Sequence, residues 1–493
     1  MHKFVVSGVA SGAPARRVPP VVSRVAGGVL AGLVAGLSLA CSGAPAARPP
    51  AQAAAPPARP APPARPAPPA RPTFPGAPAT PAGDQLAWVL DMLVHRHGKL
   101  ARAELEAHFH KSFLADTSTD EALKIFEQLG RDLGSLVLAS VEGSAERLIA
   151  HAVVGEGRMR IVLALDPATR QIAELVFQAD VDVGQRPSSF GDALRAAAAL
   201  APRAQLLVAA LENGACKPLQ ELAASDELAI GSTFKLYVLL GLADRVLAGK
   251  ARWADELAVR DDWKSLPSGT TQNEPPGTRH PLQVYAERMI SISDNTAADH
   301  LLYTIGRREV EAAVRASKHA RPALDAPFLS TRELFTLKLG APAELERYLK
   351  LPEAGRRNYL DKTLAGKAPS VVAAATWTTA RQLDKVEWFA SSLDLCRVMA
   401  ALWSRGQDPR AAPVLQILAK NPGLPVDPRV WPYVGFKGGA EPGLINMTYL
   451  LRRDDDRWFV VVMTFNADEG KTLEDPKIFH LAGGVLDLVA RAR

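Results

Sequence analysis

The sequence predicts an α+β protein with two folded units behind an extended N-terminal segment. Three observations carry this. The chain has 493 residues, too many for one hydrophobic core and enough for two or three domains. Its residues 42–83 are almost wholly Ala, Pro and Arg, with nothing to bury. From Asp84 onward the apolar pattern has helical period, then strand period, and the same alternation begins again near Phe190.

The N-terminal segment holds the basic charge. Lys3, Arg16, Arg17, Arg24, Arg48, Arg59, Arg65 and Arg71 are eight bases unmatched by any acid within residues 1–83, so the formal charge of +6 becomes −2 for 84–493. The folded part thus has no net-charge basis for nucleic acid, and none is expected as a partner. Arg16, Arg17 and Arg24 precede an apolar run from Val25 to Ala40, short for a membrane span and suited to a signal h-region. The run ends in Leu37-Ser38-Leu39-Ala40-Cys41, which is similar to a bacterial lipobox with Ser38 in the place of a Leu. Residues 1–41 are expected to be a signal peptide with Cys41 lipidated. The alternative is ordinary cleavage near Ala44-Pro45-Ala46, which would leave a soluble exported protein. Pro-Pro-Ala-Arg-Pro-Ala repeats between Pro56 and Pro72, so 42–83 should be a polyproline-like tether of about 3.1 Å per residue. No later stretch has eighteen uninterrupted apolar residues, so a lipid is the only membrane contact expected.

The first unit, 84–185, has Leu86, Val89, Leu90, Leu93 and Val94 at helical spacing, then Leu105, Phe109 and Phe113 in a second helix and 120–129 in a third. Strands are expected at 135–141, 147–154, 158–165 and 171–178. The second unit, 186–493, should open with a helix at 190–200 and a strand at 205–211 and be helical from 232 to 403. Strands at 433–437, 445–451 and 458–465 and a helix at 474–491 complete it. A sheet drawn from both ends of a domain with helices between makes a layered sandwich. Cys216 and Cys396 either pair in an oxidising compartment or stay as buried thiols; sequence does not choose.

The chemistry begins at Ile230-Gly231-Ser232-Thr233-Phe234-Lys235, which runs into the apolar Leu236-Tyr237-Val238-Leu239-Leu240. Ser232 falls where a loop becomes a helix, so the helix dipole favours negative charge on its oxygen. Lys235 lies three residues on, on the same face, among apolar neighbours that depress an ammonium pKa. An amine that sheds its proton near neutrality can take one from a serine. Taken alone, the pair reads equally as a helix cap and a snorkelling lysine. Ser293-Asp294-Asn295 taken alone is a helix cap, and Lys437-Gly438-Gly439 followed by Ala440 is a turn.

Together and in this order, the three elements resemble the Ser-x-x-Lys, Ser-Asp-Asn and Lys-Thr-Gly set of class A β-lactamases and penicillin-binding proteins. The resemblance covers about 190–493. It implies a β-lactamase/transpeptidase-like sandwich and acyl transfer through a serine ester. Carried over by motif, Ser232 is the nucleophile, Lys235 its activator and Ser293 a proton relay to the leaving group. Asn295, Lys437 and Gly439 bind substrate, and the Ser232 and Ala440 amides form the oxyanion hole. Two departures stand out. Gly438 replaces the motif's hydroxyl residue, and the Glu-x-x-Leu-Asn deacylation sequence is missing. Glu333, in Ser330-Thr331-Arg332-Glu333-Leu334-Phe335-Thr336-Leu337, is the carboxylate nearest the expected place, either a deacylation base or a helix-start glutamate. An insertion is expected within 338–385.

The two-unit order also resembles a subgroup in which a steroid-isomerase-like (nuclear-transport-factor-like) domain, a cone-shaped sheet with helices, precedes the hydrolase. Members include exported actinobacterial lipoproteins. The small-molecule substrate implied is a β-lactam or a related ester or amide. The alternatives are a cell-wall D,D-peptidase or esterase that binds penicillin, and a wall-binding lipoprotein without catalysis. No cofactor is expected, since no phosphate loop or dinucleotide fingerprint sits at a strand–helix junction. No metal is expected either: His95/His97 and His108/His110 are spaced i, i+2, and Asp454-Asp455-Asp456 reads as a hairpin turn. Nothing calls for a partner chain, and a monomer is expected.

Overall fold

The structure, a computed structural model, describes residues 74–492 except 112, 114–118, 156, 181 and 368–370. The leader, Cys41 and most of the tether lie outside these residues. The chain forms two compact units. No helix among the described residues is long and apolar enough to cross a membrane.

The N-terminal elements are α1 (Pro81–Val94), α2 (Arg102–His108), α3 (Thr119–Leu133), β1 (Val137–Gly143), β2 (Arg147–Val154), β3 (Gly157–Leu165) and β4 (Ile172–Ala179). The four strands form one sheet in sequence order, as the turn signals imply. Thr80 caps α1 by accepting from the Gly83 amide at 3.1 Å, and Pro81 sits at the first helical position, where a missing N–H costs nothing. Leu86, Val89, Leu90 and Leu93 are fully buried, as their spacing requires. The second helix is shorter than expected. It ends at His108, so Phe109 and Phe113 lie beyond it, their rings 4.6 Å apart and buried. His95 and His97 fall in the turn after α1, and His108 stacks on Trp88 at 3.6 Å.

The C-terminal unit begins with α4 (Phe190–Leu200), β5 (Arg203–Glu212), β6 (Ala215–Leu222) and the two-residue β7 (Leu228–Ala229). Then come α5 (Lys235–Leu247), β8 (Glu256–Ala258), β9 (Arg279–Pro281), α6 (Leu282–Ser291), α7 (Asn295–Ile305) and α8 (Arg307–Ala316). After α9 (Thr331–Leu339), the expected insertion region holds α10 (Pro342–Leu349), α11 (Glu353–Tyr359) and α12 (Val371–Thr376). The chain continues through β10 (Phe389–Ala390), α13 (Ser392–Arg405) and α14 (Pro413–Leu418) to β11 (Tyr433–Glu441), β12 (Leu444–Arg452), β13 (Trp458–Asn466) and α15 (Asp475–Arg491).

Five strands form the main sheet in the order β11-β12-β13-β5-β6, all pairs antiparallel. Strand alternation sorts their side chains into two cores. Leu206 and Val208 join Ala197, Leu481 and Val485 on the face covered by α4 and α15. Leu207 and Ala209 point the other way, into the helical layer of α5 and α13. Because both faces are covered, β13 reads as an unbroken apolar run and not as an alternation. Strand β6 was not foreseen from its polar composition. The Asn213-Gly214 pair that precedes it has φ of 53° and 75°, the two left-handed residues of a hairpin turn.

Cys216 in β6 and Cys396 in α13 are joined by a disulfide across 180 residues, their Cα atoms 6.3 Å apart. The bond closes a loop containing Ser232 and Ser293. Such a loop constrains the unfolded chain strongly, by about 5 kcal/mol in the chain-entropy description. Replacing both cysteines by serine should lower stability by about 2–5 kcal/mol in urea unfolding. Equal midpoints for the variant and the wild type would show that the bond adds no stability.

Candidate functional site

The nucleophile candidate sits on a short turn between two layers. Residues Gly231–Phe234 form one 3₁₀ turn that passes directly into α5. The approach is held by β7 pairing with β10 and by the Ile230 amide donating to Trp388 O at 3.0 Å. The Phe234 ring stacks on Trp388 at 3.7 Å and anchors the turn from below. Strand β11 passes close against it. A Cβ on Gly439 would meet Ile230 O at 2.0 Å, and one on Gly231 would lie 3.5 Å from the Ala440 nitrogen. Glycine at 231, with φ of +50°, and at 439 lets the strand edge approach the serine turn this closely.

Lys235 is fully buried at the start of α5. Its Nζ lies 2.7 Å from Ser293 O, 2.7 Å from Asn295 Oδ1, 3.0 Å from Ser232 Oγ and 3.1 Å from Ser293 Oγ. Burial, and then the charge of Lys437, hold its pKa well below the usual lysine value. The partners agree with a neutral amine. The two closest atoms are carbonyl oxygens, which only accept and therefore take its two N–H groups. The lone pair is left for a hydroxyl proton, from Ser232 or Ser293.

The loop between α6 and α7 delivers these acceptors. Ser293 has φ of +57°, a left-handed conformation that presents both its carbonyl and its hydroxyl to Lys235. Asp294 is the N-cap of α7, accepting from the Ala297 amide at 2.8 Å, so the motif is a helix cap as well. Its other oxygen accepts from Thr270 N, Thr271 N and Thr271 Oγ1 at 2.8–2.9 Å, which fastens the 268–273 loop over the site. In that loop Ser268 O takes the Asn295 amide at 3.0 Å, and the Ser268 hydroxyl donates to Ser293 O. No motif pointed to Ser268. Lys437, on β11, donates to Ser293 Oγ at 3.1 Å and also to Gly438 O. Burial pushes its pKa down to about 7.

The structure thus brings Ser232, Lys235, Ser293, Asn295 and Lys437 into one hydrogen-bonded cluster, with Gly439 and Ala440 beside it. Gly438 is explained by crowding, since a Cβ there would press on the Phe436 ring at 2.9 Å. Glu333 does not join the cluster. It closes a capping box at the start of α9, where Ser330 N donates to its Oε2 at 2.8 Å and Ser330 Oγ accepts the Glu333 amide at 3.2 Å. Its carboxylate is also paired fork to fork with Arg307 at 2.6 and 3.0 Å. Of the two readings the sequence allowed, these partners are those of a helix-start glutamate. Among the described residues no carboxylate lies within ion-pair distance of Lys235 or Lys437. Sequence reasoning also missed Lys338, which is fully buried and donates to Glu387 and to Glu441, the residue after Ala440. It ties α9 to β11, and nothing in a helical spelling distinguishes it from a surface lysine.

With this geometry in place, the comparisons are informative. The sequence model of the Beta-lactamase2 family, described as a β-lactamase enzyme family, matches residues 191–478. The chain belongs to this family. A second model, for the N-terminal part of an ORF 12 gene product, matches residues 77–170. Among solved structures, a β-lactamase from Sphaerobacter thermophilus is 18% identical, covering 60% of this chain and 95% of its own, with a TM-score of 0.41. A class A β-lactamase named PenP from Rhodopseudomonas palustris is 16% identical, covering 61% and 98%, with a TM-score of 0.42. PBP-A is 16% identical, covering 62% and 100%, with a TM-score of 0.40. No curated protein matches the chain. As a member of this family the chain has the β-lactamase-like α/β domain of serine hydrolases.

The Arg307 pairing makes a clear prediction for Glu333→Gln. Removing one charge from a mostly buried pair should lower stability by about 3 kcal/mol. Breakdown of any acyl-enzyme should change far less than the roughly 10²–10⁴-fold lost with a general base. Stopped-flow deacylation rates beside melting temperatures distinguish the two roles.

Proposed function

We propose that this protein is an exported active-site-serine hydrolase that transfers acyl groups from β-lactams, or related esters and amides, to Ser232, and that releases them slowly. The observation that carries the reading is the buried Lys235 amine, 3.0 Å from Ser232 Oγ and 3.1 Å from Ser293 Oγ. In the proposed reaction Lys235 Nζ takes the Ser232 hydroxyl proton as Oγ bonds to the substrate carbonyl carbon. The Ser232 and Ala440 amides receive the negative charge on the carbonyl oxygen. The carbon–nitrogen (or carbon–oxygen) bond then breaks, and the proton passes from Lys235 through Ser293 Oγ to the leaving atom. Lys437 supplies the positive charge for a substrate carboxylate and Asn295 a side-chain amide for the substrate.

Slow release is supported by the lysines' surroundings, where among the described residues no carboxylate lies within ion-pair distance of either amine. The same fact favours a cell-wall D,D-peptidase or esterase as the second reading, since such an enzyme forms long-lived adducts with penicillins. A binding protein without catalysis has less support, because the serine–lysine–serine network is intact. Export is supported by the Cys216–Cys396 disulfide, a bond of oxidising compartments. Lipid anchoring through Cys41 remains part of the same proposal.

Intact-protein mass spectrometry with benzylpenicillin should show a single adduct that outlives mixing by minutes and is absent from Ser232→Ala. Nitrocefin turnover should show a burst of one equivalent. Rapid turnover without a burst would contradict slow release, and labelling of the Ser232→Ala variant would place the nucleophile elsewhere.

The pH profile tests the second lysine. Lys437 has its pKa depressed to about 7, so it is charged below that pH and neutral above it. For a carboxylate-bearing β-lactam, kcat/KM should therefore fall as pH rises through about 7. An uncharged ester should lack this basic limb, because kcat/KM reports the free enzyme's groups. Parallel profiles for both substrates would remove Lys437 from carboxylate recognition.

A further inference from the structure

A buried charge triad stands beside the serine–lysine cluster, and the proposed reaction does not use it. It consists of Lys338 in the last turn of α9, Glu387 two residues before β10, and Glu441, the last residue of β11. Their side chains are 0%, 0% and 5% exposed. Lys338 Nζ donates to both carboxylates and lies 5.6 Å from the centre of the Trp377 ring.

Stability is a weak reason for such a group. Apolar side chains of similar volume often serve a core as well as a buried ion pair or triad, because desolvation offsets the attraction. Burial alone would drive the proton from Lys338, but Glu387 and Glu441 outweigh it and raise its pKa. Burial, and then the charge of Glu387, raise Glu441 well above the usual carboxylate range. Glu441 therefore keeps its proton, and the triad is neutral as a whole.

What sets the triad apart is where its two arms lead. Glu387 Oε2 accepts from the Trp388 amide at 3.2 Å. Trp388 in turn holds the nucleophile turn, its carbonyl accepting from the Ile230 amide at 3.0 Å and its ring stacked on Phe234 at 3.7 Å. The other arm, Glu441, directly follows Ala440, and strand alternation sets it on the same face of β11 as Lys437 and Gly439. Strand β11 is at the edge of the five-stranded sheet, so no further strand fixes its outer side. One ammonium thus reaches both the support of the Ser232 turn and the strand end that carries Ala440. These two pieces of backbone are close together, since a Cβ on Gly231 would lie 3.5 Å from the Ala440 nitrogen.

We infer that Lys338, through Glu387 and Glu441, is a positioning residue that sets the spacing between the Ser232 and Ala440 amides, the two donors of the oxyanion hole. The inference rests on the serine-hydrolase reading of Ser232. Lys338 touches no substrate; it holds the strand end that carries one donor against the turn that carries the other. Such donors act by standing ready at hydrogen-bond distance from the developing oxyanion. A shift of about 1 Å caused by a change far from the chemistry can cost about 100-fold in rate.

Glu441→Ala cuts the arm to β11 and leaves the Lys338–Glu387 pair intact. Stopped-flow acylation by benzylpenicillin and by p-nitrophenyl acetate separates the acylation rate constant from the dissociation constant of the complex that precedes it. The rate constant should fall by about 10–100-fold for both substrates, with the dissociation constant unchanged. Affinity for phenylboronic acid, whose tetrahedral adduct places an oxygen at the same two amides, should fall in parallel. Glu441→Gln keeps an acceptor for Lys338 and should restore both quantities. If Glu441→Ala does not fold, the double variant Lys338→Met, Glu387→Gln removes the paired charges together and should show the same fall. Wild-type acylation rates in the variant that breaks the triad would overturn the inference and leave the hydrolase reading standing. A loss that Glu441→Gln fails to restore would also overturn it. Absence of any adduct on Ser232 of the wild type would instead remove the hydrolase reading, and the inference with it.

Discussion

The C-terminal unit is organised around one buried amine. An isolated lysine at full burial is costly, so Lys235 is tenable only where oxygen acceptors surround it. Each acceptor comes from a different local device. The 3₁₀ turn that begins α5 sets Ser232 beside it, the left-handed backbone of Ser293 turns a carbonyl and a hydroxyl inward, and the first residue of α7 supplies Asn295 Oδ1. A left-handed non-glycine residue costs about 1–2 kcal/mol. The Asp294 cap and the Ser268 contacts hold it in place. The helical layer, the α6–α7 loop and the strand edge are therefore mutually dependent, because each completes the coordination of the same nitrogen.

Two lysines share one hydroxyl. Lys235 and Lys437 each lie 3.1 Å from Ser293 Oγ, and two ammonium groups so close disfavour each other. The surroundings decide which gives up its proton. Lys437 is lowered by burial, whereas Lys235 is lowered by burial and further by Lys437 itself. In the proposed reaction the two residues of the same type take different parts, Lys235 as base and Lys437 as cation. Ser293 lies between them, in contact with both, which is the position a proton relay requires.

Much of this was legible in the sequence because it is local. Ser232 and Lys235 are three residues apart, Ser293-Asp294-Asn295 is contiguous, and the strand-end glycines 438 and 439 follow Lys437 directly. Apart from β6, the strands of the four- and five-stranded sheets were also visible, since their apolar patterning records burial. What escaped depends on contacts between distant positions. The Arg307–Glu333 pair, the Lys338–Glu387–Glu441 group and the Cys216–Cys396 bond each join different elements, and no spacing announces them. Strand β6 is a different case. Its residues are too exposed to show a pattern, but Asn213-Gly214 signalled the hairpin. Ser330-Thr331-Arg332-Glu333 likewise spells a capping box, and the structure shows that carboxylate closing it.

The environment of Lys235 also bears on how the two halves of the proposed reaction are related. Where a separate carboxylate activates water, acylation and deacylation use different bases and can be tuned apart. Here, among the described residues, the side chains hydrogen-bonded to Lys235 and Lys437 are those of Ser232, Ser293 and Asn295, without a carboxylate. Once the leaving group has taken its proton through Ser293, Lys235 is again the neutral amine that began the reaction. Any water attacking the acyl group must then rely on that amine or on Ser293. In the free protein that amine contacts Ser232 Oγ and Ser293 Oγ, and Ser293 Oγ also contacts Lys437. The proposed slow release thus rests on the same contacts as the proposed acylation.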